Sequence, residues 1–187
     1  MANRKYNYSA FYVAEPFNEW NLGANAVHDF CFYNMLRAWK GKDNAFPFLD
    51  AHGTTYSVRD GSSWDYTLKP RLHERLRNSK NIILFLSENT RNSRALREEI
   101  DYGMCYLGLP VIAVYPDYSD NRWVTNGNNG PSDRVRRLWD NLPIFRDNCG
   151  NVPTVHVPMN KEYITMALDD SDFTIQHKHS NFCWCYR

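Results

Sequence analysis

Long apolar runs are missing from this sequence. No segment approaches the ~18 consecutive apolar residues of a membrane-spanning helix. The opening Met1-Ala2-Asn3-Arg4-Lys5-Tyr6 lacks the apolar core of a signal peptide. Charge of one sign is missing too, since 22 Lys and Arg stand against 21 Asp and Glu for a net of +1. That balance supplies no electrostatic footprint for nucleic acid, and no dense Lys/Arg run is interleaved with aromatics. Cysteine is sparse and scattered. Cys31, Cys105, Cys149, Cys183 and Cys185 are odd in number and fit neither a disulfide framework nor a zinc set, and Cys183-x-Cys185 is too cramped for a metal site. The expectation is a cytoplasmic protein with no nucleic-acid, membrane or metal partner and no cofactor.

Aromatic residues, by contrast, are plentiful. Twelve Tyr, ten Phe and six Trp make 15% of the 187 residues, enough to fill much of a single core. The length fits one α/β domain, with or without an extension.

Strand-like and helix-like segments alternate along the chain. Tyr6–Val13 reads as a first strand, and a loop with Pro16 and Trp20 follows to Gly23. Ala24–Lys40 carries Phe32, Met35, Leu36 and Trp39 at helical spacing. Phe46–Ala51 is the second strand, placed at or near an edge by Pro47. A polar loop from His52 to Ser63 leads to a helix marked by Leu68, Leu72 and Leu76; Pro70 requires it to start near Thr67. Asn81–Leu86 and Leu109–Tyr115 are continuous apolar runs, as central parallel strands require. Asp117–Asp133 is a surface excursion whose one large apolar residue, Trp123, is expected to tuck back onto the domain. Val135, Leu138, Trp139 and Leu142 suggest a short helix, Val152–Val157 a fifth strand, and Lys161–Leu168 a last helix. The tail from Asp169 holds Phe182, Trp184 and Tyr186, too apolar to be left in water. The alternation predicts a parallel sheet of about five strands.

The stretch from Ser87 to Ile100 organises the rest. It leaves the apolar run Ile82–Leu86, turns, and opens a helix to about Leu107, with Leu96, Ile100, Met104 and Leu107 as its buried stripe. At ~100° per residue Glu98 points away from that stripe while Glu99 falls on its edge, and Gly103 one turn later is expected to leave open space. The carboxyl ends of an open α/β sheet are where such folds build their sites. Glu99 is therefore the candidate for chemistry. The ordinary alternative is a solvated or paired Glu, with Arg91, Arg94 and Arg97 as available partners.

Ser87, Ser93 and Glu99, each six residues apart after a central strand and followed by Ile100, resemble the pattern of NAD-cleaving TIR domains. The chain from about Arg4 to Leu168 resembles the TIR-like group of bacterial Thoeris anti-phage systems. Phe48-Leu49-Asp50-Ala51-His52 is similar to the family's second strand, while Ala95 stands where NAD-cleaving members often have Trp. The resemblance implies a three-layer, flavodoxin-like or TIR-like α/β fold with helices on both faces. It implies one TIR-like domain over 1–187, with a core of about 4–168 and an extension over 169–187.

The activity it implies is cleavage of the bond between nicotinamide and ribose in NAD+, with Glu99 catalytic and NAD+ a substrate. The product would be a signalling nucleotide derived from ADP-ribose, a cyclic isomer among the options, acting on a separate effector protein. Self-association accompanies activity in the family. Around Glu99 stand the candidate substrate contacts Phe11, Tyr12, Asp50, His52, Ser87 and Ser93. Each has a plainer reading: Phe11 and Tyr12 cover the core, Asp50 caps a turn, His52 is solvated, and Ser93 caps the helix. Two rivals belong to other classes. One is a TIR module that only assembles; the other is a nucleoside deoxyribosyltransferase-like enzyme, which shares the sheet order and a helix-borne Glu.

Overall fold

Five parallel strands form one sheet, in the order in which the chain visits them. The computed structural model describes residues 4–10, 24–52, 63–177 and 181–186, with 24–30 as backbone only. The strands are β1 (Tyr6–Ala10), β2 (Ser79–Phe85), β3 (Val111–Tyr115), β4 (Thr154–Pro158) and β5 (Cys183–Cys185). All four pairings are parallel.

Helices cover both faces, and the alternation of side chains along the strands decides which face each one meets. Ile82 and Leu84 of β2 and Val111 and Ala113 of β3 pack with α2 (Lys69–Arg77), α3 (Arg94–Ile100), α4 (Asn121–Val124), α5 (Asp133–Leu138) and α6 (Pro143–Asn148). Ile83, Phe85, Ile112, Val114, Val155 and Val157 point the other way. They meet α1 (Ala24–Lys42), α7 (Lys161–Asp169) and the Phe46 and Phe48 rings. Burial on both sides is why β2 and β3 read as unbroken apolar runs rather than alternating ones.

Four expectations need correction. Phe46–Ala51 is not a strand but a single parallel bridge, Asn7 to Asp50. Asn7 N donates to Leu49 O (2.7 Å) and Ala51 N to Asn7 O (3.2 Å), yet Leu49 N turns to the Asn7 side chain (2.9 Å). That Asn7 amide donates onward to Asn81 Oδ1 (2.6 Å), and Asn81 donates to Phe173 O (2.9 Å). A buried amide relay thus replaces the ladder, and Pro47 has no N–H to extend it. In its place the tail supplies the fifth strand, with Cys183–Cys185 beside β4. Phe182, Trp184 and Tyr186 are all more than half buried, Trp184 least at 36% exposure. Trp123, in the surface excursion, does not tuck in; it is 45% exposed beneath the Arg134 guanidinium. The short helix α6, opened by Pro143, was not anticipated.

The fourth correction concerns the Glu99 helix. It is α-helical only to Ile100 and then widens into a π-helical stretch over Asp101–Tyr106, closed by Gly108 at φ 66°. Gly103 does not leave open space. A Cβ there would lie 2.6 Å from Ile82 Cδ1 and 3.1 Å from Leu76 Cδ2, so glycine lets this stretch seat directly on β2. Gly103→Val is expected to cost about 2–3 kcal/mol through overpacking, read as a lowered urea midpoint. A midpoint equal to wild type would contradict the close approach.

Candidate functional site

Glu99 belongs to α3, which starts where the turn after β2 ends. Ser93 caps that start, its Oγ accepting from Leu96 N (3.1 Å), so the capping reading of Ser93 is the one the geometry supports. Ser87 is 3% exposed and shapes the turn. Its N–H donates to Thr90 Oγ1 (2.8 Å), and its Oγ accepts from Asn89 N (3.2 Å). Both serines thus fix the direction from which α3 leaves the sheet.

Packing of Leu96 and Ile100 against the sheet carries Glu99 inward with them, to 7% exposure. There the Tyr8 hydroxyl of β1, itself buried, donates to Glu99 Oε1 (3.0 Å). Oε2 is buried and has no hydrogen-bond partner among the described residues. Desolvation pushes the Glu99 carboxyl up to about 8, against the opposing pull of the Tyr8 hydrogen bond and the Arg75 guanidinium. Burial, then Glu99 itself, raises Tyr8 well above the ordinary tyrosine value.

Of the arginines expected beside Glu99, Arg94 is engaged elsewhere: it reaches Asp65 (3.5 Å) and lies over the Trp64 ring at 4.8 Å. The relevant cation is Arg75, from α2. Its Nη1 stands 3.4 Å from His52 Nδ1, and its Nε has no hydrogen-bond partner among the described residues. His52 is not solvated. Its ring sits against Tyr8 (centroids 4.7 Å) and edge-on to Tyr33 (5.5 Å). Desolvation, reinforced by Arg75, pushes His52 down to about 4, so its imidazole is neutral at pH 7.

Asp50 has both oxygens engaged. Oδ1 accepts from His52 N (2.8 Å) and Oδ2 from the Tyr33 hydroxyl of α1 (2.6 Å). This is the turn-capping reading, and it positions His52. Phe11 and Tyr12 lie outside the described residues, as do most of the expected loops after β1 and after His52. Glu98 also departs from expectation. It is not solvated but bridges Lys69 (3.0 Å) and His73 (2.7 Å). Burial lifts its carboxyl, yet the hydrogen bonds from Lys69 and His73 outweigh that and hold it below the usual range.

The assembled site is a neutral, buried acid backed by Tyr8, His52 and Arg75, at the strand-β1 side of the sheet. Sequence reasoning missed Tyr8, Tyr33 and Arg75. Tyr8 was legible only as one aromatic in a strand, and nothing in sequence spacing joins Arg75 to a glutamate 24 positions on. A model of the TIR-like domain of the Thoeris protein ThsB matches residues 8–121. The chain belongs to that family. Its role is that of a TIR-like domain in anti-phage defence, and the matched span covers Tyr8, His52, Arg75 and Glu99 together. No described helix is long and apolar enough to cross a membrane.

The raised carboxyl has a consequence for stability. Glu99 keeps its proton in the folded state up to about pH 8, whereas in the unfolded chain it ionises near 4.5. The folded state therefore holds the extra proton between those values. Its contribution is fully present below about pH 4.5 and is lost as pH rises to about 8. Glu99→Gln cannot titrate, so its stability relative to wild type is expected to climb across this window by roughly 3–5 kcal/mol at ~1.4 kcal/mol per pH unit. Urea unfolding of both proteins at pH 4.5 and 8.5 checks this. An unchanged difference would mean that Glu99 titrates at its ordinary value.

Proposed function

We propose that this chain cleaves the N-glycosidic bond between nicotinamide and ribose in NAD+, with Glu99 as the catalytic carboxylate. The observation that carries the reading is the Glu99 carboxyl: buried, oriented by one hydrogen bond from Tyr8, and with Oε2 unpartnered among the described residues. A buried polar atom without a partner is costly, and sites of chemistry are where such costs are retained.

Nicotinamide leaves as a neutral base, so no strong general acid is required. The barrier lies in the oxocarbenium-like ribose. A fixed carboxylate in a water-poor site stabilises that cation more than it stabilises the ground state. Before substrate binds, burial holds Glu99 neutral at pH 7. The nicotinamide ring of NAD+ carries a positive charge, and bringing it beside the carboxyl favours the ionised form. Substrate binding thus creates the charge that the transition state uses, with the displaced proton passing to solvent. The Tyr8 hydroxyl then makes a charge-assisted bond to Oε1 and leaves Oε2 toward the ribose. Arg75, whose Nε has no partner among the described residues, suits the diphosphate. His52 is a neutral wall, while Asp50, Ser87 and Ser93 position the elements rather than touch substrate. Water as acceptor yields ADP-ribose, an internal adenine or ribose atom yields a cyclic isomer, and an external nucleophile yields a conjugate. In this reading the product signals to a separate effector protein, and self-association raises activity.

Glu99→Gln is expected to lower nicotinamide release about a hundredfold or more, ~3 kcal/mol of transition-state stabilisation. Glu98→Gln should stay within a few fold of wild type. For the wild type, kcat/KM should rise with pH toward an apparent value near 8, because the free enzyme must lose the Glu99 proton. Chromatographic assay of nicotinamide at two protein concentrations reads all three. Equal losses in both variants, or none in either, would remove Glu99 from catalysis. Intact NAD+ with self-assembly would favour the assembly module, and base exchange on deoxynucleosides the transferase.

A further inference from the structure

At the sheet edge opposite β1, two cysteines meet. Cys149 directly follows α6 and Cys183 opens β5. Their sulfurs are 2.6 Å apart across a sequence separation of 34 residues, and both are partly exposed. Beside them His156 of β4 is fully buried, its Nε2 3.9 Å from Cys149 Sγ. The protonation of that ring follows from counting donors. Trp139 Nε1–H has only a proton to give, and it donates to Tyr115 Oη (2.9 Å). The Tyr115 hydroxyl is fully buried and must place its own proton, and His156 Nδ1, 2.7 Å away, is the acceptor at hand. Nδ1 accepting places the ring proton on Nε2, facing the sulfurs.

We propose that Cys149 and Cys183 are a modification site: a reversible disulfide, closed by exchange with a low-molecular-weight disulfide, that clamps the C-terminal strand β5 to the sheet. The step balances. The Cys183 thiolate attacks one sulfur of the small disulfide, whose S–S bond breaks and releases half as a thiolate. The Cys149 thiol gives up its proton and attacks the Cys183 sulfur, expelling the second half. Two protein thiols are oxidised by two electrons. One small disulfide is reduced to two thiols, which take up the two protons released. Cys183 is the attacking sulfur because the hydrogen bond it shares with Cys149 favours its anion. Hydrogen bonds from Cys149 and then His156 hold its thiol well below the ordinary value, and the same sharing lifts Cys149.

A metal fits less well. Cys149, His156 and Cys183 are the whole of the cluster among the described residues. Two thiolates on one tetrahedral zinc sit about 3.8 Å apart, well beyond the 2.6 Å that separates these sulfurs. The clamp has a clear target. β5 is three residues long and is otherwise held by its pairing to β4, by Cys185 N to Asn129 O (2.8 Å), and by Tyr186, which bonds Asn121 and Asp170.

The full chain is equilibrated in glutathione buffers from reducing to oxidising, alkylated, and mapped by peptide mass spectrometry with and without zinc. The expected result is a Cys149–Cys183 cross-linked peptide in the oxidising buffers, reversed by reduction. It should accompany a thermal midpoint higher by roughly 10 °C, from closure of a loop of about 35 residues. Cys183→Ser should lose both effects. Free alkylation of both cysteines in oxidising buffer, pairing of either with another cysteine, or protection of both by one zinc per chain would overturn the proposal.

Discussion

One carboxyl group, removed from water and held by a hydrogen bond from Tyr8, is the constraint around which this end of the molecule is arranged. Leu96 and Ile100 must face the sheet for α3 to bury anything. Glu99 lies between them in the chain and within the same arc of the helix, so it goes in as well. Its position then depends on Tyr8, fixed in β1 by parallel pairing to β2. The packing of β2 on both faces is what can offset the cost of a buried acid whose Oε2 has no partner among the described residues.

In the proposed function the same arrangement couples protonation to binding. A solvated glutamate would be ionised at all working pH values and would offer its charge to water as readily as to substrate. A buried one waits, neutral, for a cation. His52 and Arg75 frame this acid without ion-pairing it, and the neutral imidazole adds no competing positive charge. In the proposed function that cation is the nicotinamide ring of NAD+.

Much of this was legible in the residues. The unbroken apolar character of Ile82–Leu86 and Leu109–Tyr115 marked the centre of a parallel sheet, and helical spacing through Leu96 and Ile100 located α3 and put Glu99 at its margin. What failed did so where side-chain amides or distant segments decide structure. No local signal says that Asn7 will take the hydrogen bond of Leu49 and break a strand into one bridge. The tail strand β5 is three residues whose pairing depends on β4, about 30 positions earlier. Gly103 read as space because a missing side chain looks like a gap, when it is the means of contact with Ile82. Glu98 and Glu99 are adjacent and chemically identical in sequence. Only the fold sends one to Lys69 and His73 and the other to Tyr8.

The most direct test of the account is the titration of Glu99 itself, by carbon-13 NMR of its side-chain carboxyl with Glu99→Gln to assign the resonance. The account predicts a midpoint near pH 8 in the free protein, moving to lower pH when a non-cleavable analogue of NAD+ with an intact cationic nicotinamide is bound. A midpoint near the ordinary 4.5 in the free protein, or one that the cationic analogue leaves in place, would contradict it.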